Sequence, residues 1–370
     1  MKVLVLGNGN SIHVEKWVNG LLERGLEIVL FSLNDFDCVN YSKSSRLSII
    51  TFGLNGKSYF EKEGSFNKIN YLRVVPKLKK IIKEHQPDLV HSHYCSSYGS
   101  IGALLRFHPY IISVWGSDVY DFPKLNPFFK KVVKFALKRA DMILSTSNVM
   151  AKETSKYTNK EIHVTPFGVD TSIFKKRSFD KESNEIIIGT IKKLDYKYGI
   201  DTLIESFDDL LKRNPEKNLK LEIVGIGPDE EKLKELVIQK TLADRVRFIG
   251  FIPNAEVPKY LNRFDVYIAL SRLDSESFGV AIVEAMACET PVVVSNVDGF
   301  SEVVVDNVCG FIVPKENPKL AADKINELIT NEVIKNQFAK NGRQRVKDNY
   351  EWSDNLQLMI SLYEQALKIK

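Results

Sequence analysis

Residues 274–287 read Asp274-Ser275-Glu276-Ser277-Phe278-Gly279-Val280-Ala281-Ile282-Val283-Glu284-Ala285-Met286-Ala287. From Ser277 to Cys288 the pattern predicts a helix with one charged side chain, Glu284. A helix that is apolar all round belongs inside a protein. A carboxylate carried there costs on the order of several kcal/mol unless it is paired or hydrogen-bonded. Glu276 stands just ahead of the helix, where backbone N–H groups are open to an anion or a hydroxyl oxygen. Two acceptor-only groups around an open helix end suit a ligand rich in hydroxyl donors, such as a ribose diol or a hexose. The plainer alternative is that Glu276 caps the helix and Glu284 pairs with a buried Arg or Lys.

The flanks favour a ligand. Phe264–Ser271 upstream and Pro291–Asn296 downstream both read as strands. Acids at the C-terminal end of a strand, in a strand–helix–strand frame, lie where open α/β sheets bind ligands. Further out, strand signals recur at Val3–Gly7, Glu27–Ser32, Leu47–Phe52, Asp88–His91, Tyr110–Val114, Met142–Ser145 and Ile162–Thr165. Helical periodicity fills the gaps, as over Val14–Arg24, Lys68–Glu84 and Pro127–Ala140. A second series runs through Glu185–Thr190, Leu219–Val224, Val246–Gly250, Asp265–Leu270, Pro291–Ser295 and Phe311–Val313. This βα alternation predicts two doubly wound parallel sheets in tandem. The break is expected in the charged stretch Phe174–Asn184, and the chain reads as helical after Pro318.

The chain has 370 residues, of which 44% are apolar and 27% charged, enough for two ordinary cores. No apolar run is long enough to span a bilayer, and the start, Met1–Gly9, reads as a buried strand rather than a signal peptide. Four scattered cysteines form no CxxC pair, so reduced thiols in a cytoplasmic protein are expected and no zinc site. Residues 1–175 hold 24 Lys and Arg against 15 Asp and Glu, so the basic half is expected to meet an anionic partner.

Several stretches offer candidate site residues. Gly7-Asn8-Gly9-Asn10-Ser11 follows the first strand, but Ile12 stands where a dinucleotide loop needs its third glycine. A dehydrogenase is disfavoured on that ground. His13 is read as a surface group or as a site group. Asp35-Phe36-Asp37 reads as a solvated turn. His91-Ser92-His93 puts two imidazoles on one strand face without an evident third metal ligand. Trp115-Gly116-Ser117-Asp118 follows another strand, and Asp118 is either an acid of the site or a cap. Between Pro123 and Arg139, Lys and Arg interleave with Phe, which reads as a solvated basic face or as a surface for anionic lipid headgroups. No recognition motif accompanies that charge, so nucleic acid is not expected as a partner. Lys192, Lys193 and Lys197 lie in a loop before a helix, where they can meet a diphosphate. The turn at Gly225-Ile226-Gly227 is expected to let a ligand approach the backbone.

At Glu276-x7-Glu284, with Ser277-Phe278-Gly279, Glu284-Ala285-Met286-Ala287 and Pro291-Val292-Val293, the chain resembles the retaining glycosyltransferases of family 4. Nearly the whole chain takes part, most strongly about 186–315. The resemblance implies a GT-B fold of two Rossmann-like domains with a cleft between them. It implies an acceptor-binding domain over 1–175, a donor-binding domain over 176–350, and a final helix, 351–370, packing back on the first domain. The implied donor is a nucleotide-diphosphate-sugar, with no metal and no other cofactor. Glu284 would hold the ribose diol, and Lys197 with Lys192 would meet the diphosphate. Glu276 and the N–H groups around Ser277, Phe278 and Gly279 would orient the sugar. Gly227 would lie near the nucleotide. Gly9, Asn10, His13, His93 and Trp115 would line the acceptor side, with Asp118 as its acid.

Three positions depart from the family pattern. Trp115 stands where a sugar-contacting His is usual. Thr190 replaces an Arg, and Tyr198 is inserted between Lys197 and Gly199. The expected activity is transfer of a sugar to a hydroxyl acceptor, in surface-polysaccharide or lipid-linked glycan assembly, in the cytoplasm or at the inner membrane face. A nucleotide-sugar epimerase of the same shape and a non-catalytic nucleotide-sugar binder are the alternatives.

Overall fold

The computed structural model describes residues 1–54, 73–178 and 184–369. The first turn of the helix expected over Lys68–Glu84 and part of the expected break at Phe174–Asn184 lie outside the described residues. The chain forms two compact units, Met1–Phe167 with Asp354–Lys370, and Gly168–Ser353.

The first unit holds seven strands: β1 (Lys2–Leu6), β2 (Glu27–Ser32), β3 (Leu47–Thr51), β4 (Leu89–His93), β5 (Tyr110–Val114), β6 (Met142–Ser145) and β7 (Ile162–Val164). They lie in the order β3-β2-β1-β4-β5-β6-β7, all parallel. The second unit holds β8 (Glu185–Ile191), β9 (Asn218–Val224), β10 (Val246–Gly250), β11 (Val266–Ala269), β12 (Val292–Ser295) and β13 (Phe311–Val313). Their order is β10-β9-β8-β11-β12-β13, again all parallel. All thirteen strands expected from the sequence are present, with ends shifted by a residue or two.

Parallel strands covered on both faces read as continuous apolar runs. Val3, Leu4, Val5 and Leu6 are each 0% exposed, as are Val292, Val293 and Val294. Each such side chain contributes about 1.5–3 kcal/mol on burial. In each sheet the strand order reverses once, between β1 and β4 and between β8 and β11. Ligands of open α/β sheets bind at the carboxyl ends of strands at such a switch point.

The N-terminal part of the first unit ends at Phe167, ahead of the break expected in the charged stretch and of the 175/176 boundary that the resemblance implies. Hydrogen bonds tie the following residues to the second unit. Val169 N–H donates to the Tyr350 carbonyl at 2.7 Å, and Arg343 donates to the Phe174 carbonyl at 3.1 Å. Gly168 takes φ +65, as its turn requires. The final helix, Trp352–Leu367, buries Leu356, Met359, Leu362, Tyr363 and Ala366. From Asp354 on it belongs to the first unit, where Tyr363 Oη lies 2.7 Å from His91 Nδ1.

Candidate functional site

In the second unit the chain leaves β8 through Lys192–Asp195, makes one tight turn at Tyr196–Tyr198, and enters helix Ile200–Arg213 through Gly199. The chain leaves β11 through Leu270–Gly279 and enters helix Val280–Ala287. Both exits lie at the switch point of the second sheet. Lys192 Nζ is 2.8 Å from Glu276 Oε1, and Lys197 Nζ is 3.7 Å from Glu276 Oε2. Burial alone raises the Glu276 carboxyl, but the two ammonium groups outweigh it and hold its pKa below the ordinary value. Lys192 Nζ also lies 5.3 Å from the Tyr198 ring centre and 5.5 Å from that of Phe300. Lys197 Nζ is 5.6 Å from the Tyr198 ring. The inserted Tyr198 thus presents its ring to both cations.

The helix carrying Glu284 starts at Val280, three residues later than the spacing implied. Gly279 interrupts it at φ +83. The freed segment Ser277–Gly279 lies against Gly299, where a Cβ would come within 2.3 Å of the Ser277 carbonyl carbon and 2.5 Å of the Phe278 nitrogen. Only glycine permits that approach. Phe278 is 3% exposed, with its ring 5.4 Å from that of Tyr350. Ser277 is 5% exposed. Glu284 stands in the second turn of the helix, half-buried. Burial raises the Tyr267 hydroxyl and pushes the Cys288 thiol up to about 12, and the Glu284 charge adds to both.

At Gly225-Ile226-Gly227 the two glycines admit the lysine loop. A Cβ at Gly225 would lie 1.9 Å from the Lys192 carbonyl oxygen, and one at Gly227 would lie 2.1 Å from that of Leu194. The space that these glycines leave is filled by the backbone of the lysine loop. Leu194 N–H donates to the Ile226 carbonyl at 3.0 Å, fastening the two loops.

Arg272 was not singled out from the sequence. It stands just past β11, after Leu270 and Ser271, and its side chain is 9% exposed. Its guanidinium donates to Asp201 at 2.8 Å, Thr202 at 3.0 Å, the Tyr196 carbonyl at 3.0 Å and Glu316 at 3.0 Å. It also lies 4.6 Å from the Tyr196 ring centre. Its own N–H donates to the Lys197 carbonyl at 2.8 Å. Every contact but Glu316 falls on the turn that carries Lys197 or the helix start behind it.

In the first unit, the candidate residues gather at the C-terminal edge of the sheet. His13 stacks on Phe167 with ring centres 3.9 Å apart and meets Trp115 edge-on at 5.9 Å. Trp115 lies 4.7 Å from His93 and 5.4 Å from Phe167. The residue in the usual histidine position therefore stands in one aromatic group with both candidate histidines. His93 is 2% exposed, and its Nδ1 has no hydrogen-bond partner among the described residues. Burial, with the nearby His13, pushes its pKa down to about 3, so its ring is neutral at physiological pH.

His91 bonds Tyr363 through Nδ1 and Ser113 Oγ through Nε2, both at 2.7 Å. Both its nitrogens are used in joining β4, β5 and the final helix. No cluster of three His, Cys, Asp or Glu side chains placed to hold a metal occurs among the described residues.

Asp118 is not an exposed acid. It is 0% exposed. Its Oδ1 accepts from the N–H groups of Gly116 at 2.9 Å and Trp115 at 3.1 Å, and its Oδ2 accepts from Cys95 N–H at 2.7 Å. Burial pushes the carboxyl up to about 6 although these bonds pull it down. The carboxylate staples the loop after β5 to the turn after β4, which fixes Trp115 beside His93. Gly9 is covered by the Phe36 ring, where a Cβ would clash at 2.1 Å. Gly9 is bonded through its carbonyl to Tyr41 Oη at 2.9 Å. Asn10 is exposed, and its N–H donates to Asn8 at 3.1 Å. Asp37 accepts from the Val39 N–H, as a turn would, and Asp35 accepts from the Thr51 hydroxyl at the end of β3.

Known proteins align with this arrangement over both units. The profile of the glycosyl transferases group 1 matches residues 172–345, and that of the glycosyl transferase 4-like domain matches residues 2–147. An uncharacterized glycosyltransferase of Methanocaldococcus jannaschii is 26% identical over 96% of this chain and 94% of its own. A phosphatidylinositol N-acetylglucosaminyltransferase polypeptide of Arabidopsis thaliana is 26% identical over 80% of this chain and 65% of its own. Among solved structures, Anabaena HepE in complex with UDP-glucose superposes with a TM-score of 0.81 at 18% identity, covering 99% of this chain and 100% of that one. The two parallel sheets are those of a GT-B fold. The chain belongs to the glycosyl transferases group 1 family, and it is a glycosyltransferase that takes its sugar from a nucleotide-sugar.

Proposed function

We propose that the protein transfers a sugar, with retention at the anomeric carbon, from a nucleotide-diphosphate-sugar to a hydroxyl of a lipid-linked glycan in cell-surface assembly. The observation that carries the donor half is Glu276 set between Lys192 and Lys197, one loop ahead of the helix that bears Glu284. Lys197 and Lys192 meet the diphosphate and stabilise the charge that develops on it as the glycosidic bond breaks. Glu284 accepts from the ribose diol. Glu276 and the N–H groups of Phe278 and Gly279 orient the donor sugar. Ser277 and Gly227 act as donor-side backbone, Gly227 by holding the lysine loop in place.

On the acceptor side, Trp115 offers an aromatic face to a sugar ring, with His13 and His93 packed beside it. Gly9 and Asn10 lie on the loop that leads into the helix bearing His13. Asp118 acts through Trp115 and is a positioning residue. The relative that acts on phosphatidylinositol and the basic N-terminal half support a lipid-linked acceptor reached from the inner face of a membrane.

Nucleotide release from UDP-, GDP- and ADP-sugars, without added metal, tests this reading. The control is Glu276→Ala. Slow release from one donor, lost in the variant, is expected, and the anomer of the product then reports retention. Binding of one donor with no release under any acceptor would indicate a binder instead. A changed free nucleotide-sugar made without acceptor would indicate an epimerase.

A further inference from the structure

Helix Pro127–Arg139 of the first unit is amphipathic in an unusual way. Its inner face buries Phe129, Val133, Ala136 and Leu137. Its outer face is not simply charged. Phe128 is 54% exposed, Phe135 37%, and Leu125, in the short helix just before it, 52%. Phe128 and Phe135 are seven residues apart and so share one side of the helix. Lys131 lies between them at i+3 and i−4, and Lys138 and Lys134 continue the same side. Arg139 holds its guanidinium 5.8 Å from the Phe135 ring centre.

From residue 122 to 140 the sequence has six Lys and Arg and no acid. The field extends beyond the helix. Lys160 Nζ donates to the Lys138 carbonyl at 2.8 Å. The nearby Glu153 carboxylate is itself shared by Lys124 and Lys156.

We propose that this face, centred on Phe128, Lys131 and Phe135, docks on the surface of an anionic lipid bilayer. The chemistry that fits it has two parts. Negative headgroups satisfy a cluster of lysines with no acid among them. Acyl chains take up the aromatic and Leu side chains that stand among those lysines. A polyanion such as nucleic acid meets the first requirement but leaves three exposed apolar side chains unexplained. A protein groove meets the second but not the excess charge. The helix is about 20 Å long at 1.5 Å per residue, and would lie in the interface plane. The purpose of this docking rests on the proposed lipid-linked acceptor, but its test does not.

The test is co-sedimentation of the full chain with phosphatidylcholine vesicles made with and without phosphatidylglycerol, alongside a nucleotide-binding assay that checks folding. Binding only to the anionic vesicles, weakened by salt, is expected. Lys131→Glu with Lys134→Glu is expected to lower it by roughly tenfold or more. Phe128→Ser with Phe135→Ser should weaken it at low salt and leave what remains more salt-sensitive. Nucleotide binding should stay unchanged in both. Equal binding to neutral vesicles, no binding to anionic ones, or tighter binding to a DNA fragment would overturn the proposal. None of these results bears on whether sugar is transferred.

Discussion

Lys192 Nζ lies 2.8 Å from Glu276 Oε1, a contact that joins the ends of β8 and β11 across 84 residues of chain. The two side chains are only 9% and 14% exposed. Screening by water is weak there, so removal of either partner leaves the other poorly compensated. A double-mutant cycle with Lys192→Met and Glu276→Gln is expected to show a coupling of about 1–3 kcal/mol. Denaturant unfolding of the four proteins measures it. Additive single effects would mean that the pair is not coupled.

The two buried carboxylates should respond to pH in opposite directions. The Glu276 pKa is lowered in the folded protein, so its stabilisation is present above the ordinary value of 4.5 and fades as pH falls through the folded value. The Asp118 pKa is raised from 3.8 to about 6, so the folded state holds that proton more tightly. Its share of stability therefore falls as pH rises from about 4 to about 6. Unfolding free energy measured against pH should lose the first slope in Glu276→Gln and the second in Asp118→Asn.

Asp118→Asn should also cost about 1–3 kcal/mol, because an amide cannot accept from Cys95, Trp115 and Gly116 with both of its atoms. The fluorescence of Trp115 offers a local readout. A variant with wild-type stability and an unshifted Trp115 signal would remove Asp118 from its positioning role.

Arg272 holds the turn of Lys197 without belonging to the proposed donor contacts. Arg272→Ala is expected to weaken donor binding about tenfold, or about 1.4 kcal/mol. Arg272→Lys should recover little of this, because an ammonium cannot reproduce the planar fork that reaches Asp201, Thr202 and the Tyr196 carbonyl together. Calorimetric titration with the nucleotide separates this loss from any change in unfolding midpoint. Full rescue by lysine would mean that charge alone matters there.

Glu284→Ala should weaken donor binding by about 2–3 kcal/mol, the scale of hydrogen bonds to a charged group. The same titration checks it, and an unchanged affinity would sink the ribose assignment.

The thirteen strands and their division into two parallel sheets were legible in the sequence alone. Buried parallel strands such as Val3–Leu6 and Val292–Val294 are apolar on both faces, and turns with helical periodicity separate them. The Glu276-x7-Glu284 spacing was legible for the same reason, because a charge in an apolar helix stands out in one dimension. The tertiary structure decided what touches those groups. Lys192 meets Glu276, Arg272 grips the Lys197 turn, and Gly225 and Gly227 admit the backbone of the lysine loop. Asp118 became a buried staple because three N–H groups from two loops converge on it. Such contacts join residues distant in sequence, and their partners are set by strand order and loop path. Local propensity carries no record of either.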